Sequence, residues 1–467
     1  MNDARETGWL ADLIYFEDTF QTGYAMFVDN TGRITRFSNA PDDLDISRRL
    51  PNRAIVPGLV NCHSHSFQRV IRGRTEHRTT ASRDTFWTWR EAMYHAANLL
   101  SPEDVYCVAR MAFLEMLMSG ITSVGEFHYL HNLPDGSRYE NHNLLAVEVL
   151  RAANDIGLRI GLLRTAYVRA GWQKSVHPGQ ARFITDQPET FLEDTEALRE
   201  TIPKHSKPGF AWLGMAPHSV RAVPIDYLTQ ITDYAHENGL AVHMHVAEQP
   251  AEIDECLAEY GVRPVELLQQ RSVLDSSFTA IHAIYITDDE IRCLGNAKAH
   301  VCACPTSERN LGDGAIPADR LTQAGVTICF GSDSNVQIDL LEDARLLEYH
   351  LRMKKLERAI LVSGSGEDQL AQLLFRSATK TGAAALKAPG GSLEVGRPAD
   401  FFTVNLNDVS IAGAGHKSLL NNIVFSLERT AVGEVFVNGE AVIQDGRHVL
   451  QDAVLSDFEA IQRRIWK

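Results

Sequence analysis

The chain has 467 residues, 44% hydrophobic and 22% charged, which is ordinary for a globular protein with enough material for a large core. The formal net charge is −15 and no Lys/Arg-rich run occurs, so nucleic acid is not an expected partner. No uncharged apolar run approaches the ~18 residues needed to cross a bilayer, the opening MNDARETGWL has no apolar leader stretch, and seven cysteines without framework spacing read as reduced thiols; we expect a cytoplasmic protein with no membrane partner.

In chain order, residues 9 to 57 read as short strands. These are Ala11-Asp12-Leu13-Ile14-Tyr15-Phe16, then Tyr24-Ala25-Met26-Phe27-Val28-Asp29, a turn at Asn30-Thr31-Gly32, and Arg33-Ile34-Thr35-Arg36-Phe37. The run Val56-Pro57-Gly58-Leu59-Val60-Asn61-Cys62-His63-Ser64-His65 ends in two histidines one residue apart. On a strand, His63 and His65 share a face, and two imidazoles there can grip one metal ion.

From there helical stretches alternate with short apolar runs. Residues 102–119 predict a helix, with Ser101 as N-cap, Pro102 at the first position and Gly120 at the stop. A strand over 121–127 follows, then a helix over 141–154 stopped near Gly157, then an apolar run over 159–165. Residues 224–238 predict a helix ending at Gly239, before the strand Leu240-Ala241-Val242-His243-Met244-His245-Val246. Further strands are expected at 278–282, 299–302 and 326–331. Near the C-terminus, 399–404 and 432–437 are strand-like and Asn438-Gly439 suits a hairpin turn.

This alternation predicts an α/β fold: a (β/α)8 TIM-like barrel with a small composite β-sandwich domain built from both termini. The expected boundaries are 1–57 and 390–450 for the composite domain, 58–389 for the barrel and 451–467 for a C-terminal helix. A doubly wound open sheet is the alternative, but it would want a G-x-G-x-x-G loop between a strand and a helix, and none occurs.

An active site in such a barrel lies at the C-terminal ends of the strands. Those ends carry His63 and His65, His245 with Glu248 three residues on, His282, and Ser332-Asp333-Ser334. Each alone is unremarked polar sequence; a histidine can be a hydrogen-bonded core residue and an aspartate a helix cap. Together they supply a plausible ligand set for one divalent ion, which would make hydroxide available at neutral pH. Asp333 is then placed to accept a proton, Glu248 to shuttle it to a leaving nitrogen, and His282, neutral or cationic, to orient the electrophile. The expected reaction class is hydrolysis at a carbon bearing nitrogen.

The order His-x-His, His, His, Ser-Asp resembles the amidohydrolase superfamily in its mononuclear deaminase branch, and Gly391-Ser392-Leu393-Glu394-Val395-Gly396-Arg397-Pro398-Ala399-Asp400-Phe401 resembles its return segment from barrel to β domain. No lysine stands out as the bridging ligand of the binuclear branch. A narrower set of motifs resembles the formimidoylglutamate deiminase family: His63 to Arg69, Phe86-Trp87-Thr88-Trp89-Arg90-Glu91, Gly125-Glu126-Phe127-His128-Tyr129, His218-Ser219-Val220-Arg221-Ala222-Val223, His243 to Gln249 and Asn310-Leu311-Gly312-Asp313-Gly314.

That resemblance implies one Zn2+, with Fe2+ as the alternative, on His63, His65, His245 and Asp333. It implies proton handling by Glu248, His282 and Asp333. It further implies that Gln68, Arg90, Tyr129, His218 and Arg221 hold a small-molecule substrate with two carboxylates, N-formimino-L-glutamate, hydrolysed to N-formyl-L-glutamate and ammonia in histidine degradation. Arginine suits such a substrate because its planar fork binds a carboxylate by two parallel hydrogen bonds. A homodimer is implied as well. The rival within the branch is a deaminase of a purine- or triazine-like ring, which would want a flat apolar slot and fewer arginines; a non-catalytic relative would be expected to lack a ligand or Glu248. Ser66 departs from the alanine the family often has, Trp87 and Trp89 read as core packing, and the polar stretch 72–83 is a candidate lid.

Overall fold

The computed structural model describes residues 6–80 and 83–466. The start of the chain (1–5), residues 81 and 82 of the candidate lid, and Lys467 at the end of the expected C-terminal helix lie outside the described residues.

Two sheets organise the chain. The first holds β1 (Thr7–Phe16), β2 (Thr19–Gln21), β3 (Ala25–Val28), β4 (Ile34–Ser38) and β5 (Arg48–Pro57). The barrel strands follow: β6 (Leu59–Ser64), β7 (Ile121–His128), β8 (Arg159–Ala166), β9 (Ala211–Pro217), β10 (Val242–Val246), β11 (Phe278–His282), β12 (His300–Ala303) and β13 (Thr327–Phe330). The chain then returns to the first sheet with β14 (Phe401–Asn405), β15 (Val432–Val437) and β16 (Glu440–Ile443), and ends on the helix Gln451–Ile465.

The terminal strands form one continuous mixed sheet, ordered β16-β15-β14-β5-β1-β3-β4 with β2 beside β1. Strands from the two ends meet at β5 and β14, whose antiparallel register pairs Val56 with Phe402. Neither end has enough strands to bury a face alone, so each completes the other. One expected strand divides here. Val56 and Pro57 belong to β5 in the terminal sheet, and β6 starts afresh at Leu59, with the break at Gly58. The Gly58 N–H donates to Asp400 O at 3.0 Å, which places the break at the junction of the two sheets.

The barrel sheet runs β6 to β13 in sequence order, each strand parallel to the next. It closes through Ser64 and Asp333: His65 N–H donates to Asp333 O and Asp333 N–H to His63 O, both at 2.9 Å. The seam of the barrel is therefore also the meeting point of three expected site residues. The helix Pro102–Leu117, capped by Ser101 with a reciprocal bond to Asp104, links β6 to β7 as the sequence predicts. The strand β9 is not legible in the sequence. Its Gly214 and terminal Pro217 interrupt the apolar pattern that marks the others.

The helix Lys380–Leu386 sits against the opposite end of the barrel. His243 Nε2 bonds Ala385 O at 3.0 Å and Trp212 Nε1 donates to Leu386 O at 2.8 Å. A side chain at Gly382 would come within 2.9 Å of Val60 O, so glycine lets the helix approach β6. Arg159, at the start of β8, joins barrel to terminal sheet through Asp400 at 2.6 and 3.1 Å. Among the described residues no helix is long and apolar enough to cross a membrane.

Candidate active site

The strand ends bring His63, His65, His245 and Asp333 together. All four are buried, and one ligand atom from each lies within 4.8 Å of the others. Asp333 Oδ1 is 3.3 Å from His63 Nε2 and 3.4 Å from His65 Nε2, and the Nε2 atoms of His63 and His245 are 3.2 Å apart. His65 Nδ1 bonds Phe127 O at 3.0 Å and His245 Nδ1 bonds His218 O at 3.1 Å. A carbonyl accepts only from N–H, so the hydrogen of each ring sits on Nδ1 and each Nε2 turns a lone pair toward the centre.

Burial, and then the neighbouring His63, holds His65 down at about 3; burial likewise holds His63 and His245 below the ordinary histidine value. Burial would raise Asp333, but its hydrogen bond with His63 and the charges of His63, His282 and His65 keep it well below the usual carboxylate range. Three imidazoles and one carboxylate with converging donor atoms fit a divalent cation.

The local backbone is shaped for this convergence. Ala247, His282, Ala283, Asp333 and Asn335, just at or beyond the ends of β10, β11 and β13, all hold positive φ, between 46° and 70°. Each such conformation costs about 1–3 kcal/mol in a non-glycine residue and persists only where the surroundings fix it. Asn335 Nδ2 donates to His65 O at 3.0 Å and to Ser64 Oγ at 3.2 Å, and Asn61 Nδ2 donates to Ser332 Oγ at 2.7 Å; these bonds lock the seam beneath the ligands.

Glu248 and His282 stand beside the cluster, with His282 Nε2 3.7 Å from Glu248 Oε1. Burial alone would lower His282; the Glu248 carboxylate, then the hydrogen bond to Glu308, outweigh it and lift the imidazole well above its ordinary value. Between the two forms left open by the sequence, this favours the imidazolium. Burial raises Glu248, and the His282 charge opposes that rise.

The expected substrate residues line one cavity with the ligand cluster. Gln68, Arg90, Tyr129, His218 and Arg221 all face it, together with His65, His245, Glu248 and Asp333. Gln68 Nε2 donates to Tyr129 Oη at 2.8 Å, and Gln68 Oε1 is buried without a partner. Arg90 lies over the Trp87 ring at 4.4 Å and Arg221 over the same ring at 5.8 Å. Arg90 Nε and Nη1 and Arg221 Nη1 are buried without a hydrogen-bond partner. His218, held below its ordinary value by burial and then by Arg221, is a neutral ring against this pair.

Other residues at the cavity are not among the expected substrate residues. Trp89, expected as core packing, lines it, as do Phe86, Met93, Tyr94, Tyr167, Phe183 and Leu311. Gln180 donates to both Tyr94 Oη at 2.8 Å and Tyr167 Oη at 2.6 Å and so bridges the two phenols. Ser66 donates from both N and Oγ to Glu126 Oε1 at 2.7 Å, so its hydroxyl serves a buried carboxyl rather than the cavity. In the candidate lid, Arg72 bonds Asn335 O at 2.9 Å and Glu76 accepts from Asn310 at 2.9 Å.

The profile of the Amidohydrolase family matches residues 54–442. Formimidoylglutamate deiminase from Pseudomonas aeruginosa is 36% identical over 398 residues, covering 85% of this chain and 86% of that protein. 5-Methylthioadenosine/S-adenosylhomocysteine deaminase from Pyrococcus furiosus is 26% identical over 424 residues, 90% of each chain. The crystal structure of an amidohydrolase from Brucella melitensis superimposes with a TM-score of 0.90 at 33% identity, covering 99% of this chain and 100% of that one. With a family match across most of its length and a cage of three histidines and an aspartate at the barrel seam, this chain belongs to the amidohydrolase family.

Proposed function

We propose that this chain is a zinc-dependent deiminase that hydrolyses N-formimino-L-glutamate to N-formyl-L-glutamate and ammonia, acting as a cytoplasmic homodimer in histidine degradation. The observation that carries the reading is the set of unpaired N–H groups on Arg90 and Arg221. Buried N–H groups without partners are costly, and such groups on two guanidiniums at the wall of a cavity call for an anion with two carboxylates. The 36% identity to a deiminase so named supports the same substrate.

A divalent ion held by His63, His65, His245 and Asp333 would supply Lewis acidity and a water acidified to a pKa of about 7. The side chains do the rest. Arg90 and Arg221 hold the two carboxylates, and Gln68, Tyr129 and His218 fix the chain between them and the formimino carbon. Asp333, kept ionised, accepts a proton from the attacking water. The His282 ring orients the electrophilic centre, and Glu248 shuttles the protons given up by the water to the departing nitrogen, so that water adds, the C–N bond breaks and ammonia leaves. Aromatic walls from Phe86, Trp89 and Phe183 exclude bulk water.

The test is ammonia release from N-formimino-L-glutamate, compared with adenosine and guanine, before and after chelation and after restoration of zinc or iron. Turnover of the linear substrate alone, lost on chelation and restored by zinc, is expected. Turnover of a purine in its place would transfer the assignment to the ring deaminases.

A further inference from the structure

Glu308 lies on the short helix Pro305–Leu311 that follows β12, in a segment the mechanism above does not use. Its side chain is 1% exposed. Oε1 sits 3.2 Å from His282 Nδ1 and accepts the Cys304 N–H at 2.9 Å. The Glu308 carbonyl accepts from Asp313 N–H at 2.9 Å, and the Glu308 N–H donates to Cys304 O at 2.9 Å, so the backbone that carries the carboxylate is held on both sides. His282 is itself fully buried, with φ at +70°, and its other nitrogen, Nε2, is buried without a hydrogen-bond partner on the side of Glu248.

An imidazole has two chemically distinct nitrogens, and the partner of one decides what the other presents. A carboxylate accepts but cannot donate, so the nitrogen facing it carries hydrogen. We propose that Glu308 is a positioning residue: it fixes the plane of the His282 ring and keeps a hydrogen on Nδ1, so that Nε2 is the nitrogen turned to the reacting carbon. The role of His282 at that carbon rests on the function proposed above; the hold of Glu308 on His282 does not.

The test uses the full-length, metal-loaded protein. Glu308→Ala lowers kcat about 10–100-fold, the usual range for a group that orients another, with KM and metal content unchanged. Glu308→Gln, whose amide oxygen can accept both bonds, recovers most of that loss. In a double-mutant cycle, His282→Gln with Glu308→Ala is no slower than His282→Gln alone, because Glu308 acts only through the ring. A second readout needs no turnover: in 15N-histidine-labelled protein, the His282 Nδ1–H signal, identified by its loss in His282→Gln, is slow to exchange in the parent, lost in Glu308→Ala and restored in Glu308→Gln.

Losses that multiply in the double variant, or a His282 signal indifferent to Glu308, overturn the proposal. So does a second equivalent of metal that vanishes in Glu308→Ala, because His282, Cys304 and Glu308 also bring three donor atoms within 4.8 Å and would then be a metal site. If the parent protein releases no ammonia from N-formimino-L-glutamate, the substrate reading fails by itself, and the labelled-histidine measurement decides the Glu308 role.

Discussion

The two ends of the barrel use the same residue types in opposite ways. At the closed end, Arg159 is buried and directs its N–H groups to Asp400, Gly209 O and Asn438 Oδ1. At the open end, Arg90 and Arg221 are packed over a tryptophan and leave buried N–H groups unpaired. The strand β10 repeats the contrast within two residues. His243 bonds the carbonyl of the floor helix at Ala385, whereas His245 turns Nε2 to the cluster of ligands. A buried polar group that the protein satisfies holds the fold together; one that it leaves unsatisfied, in a cavity, marks where something else binds.

Four substitutions test that contrast, from the largest effect to the smallest. Glu248→Gln removes the proton carrier at the open end while keeping its shape, and should cost about a thousandfold in kcat with metal content intact; near-native turnover would remove Glu248 from the chemistry. Arg159→Met leaves Asp400 buried and alone at the closed end, and should lower unfolding free energy by about 3–5 kcal/mol in denaturant titration, with KM unaltered. Arg221→Ala should do the reverse. It should reduce kcat/KM for the dianionic substrate about 100-fold, as loss of a charge-assisted pair does, while the melting temperature holds; equal losses for a neutral formamidine would take Arg221 out of substrate recognition.

The smallest effect concerns Glu252, which burial pushes up to about 7 although it accepts the Ala247 N–H at 2.8 Å. Its folded value is raised above the ordinary carboxylate value. Its contribution is therefore fully present below about 4.5 and lost as pH rises through about 7. Glu252→Gln keeps an acceptor without the charge, so it should stabilise the protein at pH 8 by about 1–3 kcal/mol and leave it unchanged at pH 4. Melting temperatures at the two values check both the sign and the window.

Much of this was legible because barrel chemistry collects at strand ends. The alternation of helical and apolar segments pointed to the barrel, and His63, His65, His245, His282 and Asp333 stood out as polar residues closing apolar runs. The polar residues of the flanking cavity needed the family resemblance as well, since Arg90 on a helix and Arg221 in a loop look like solvated charges in isolation. Tyr94, Tyr167, Gln180 and Glu308 escaped both readings. They come from four separate segments, and nothing in a local pattern says that Gln180 will bridge two phenols or that Glu308 will meet His282 across adjacent strands. Trp89 reads as core packing in the sequence, and the same apolar character suits a cavity wall.

The central claim is that unpaired guanidinium donors at the open end select a doubly anionic molecule. Its most direct test compares kcat/KM of the zinc-loaded protein for N-formimino-L-glutamate and for N-formiminoglycine, which keeps the reacting group and one carboxylate. A preference of about 100-fold or more for the glutamate compound, abolished in Arg221→Ala, is the expected result. Equal values for the two substrates in the parent protein would contradict it.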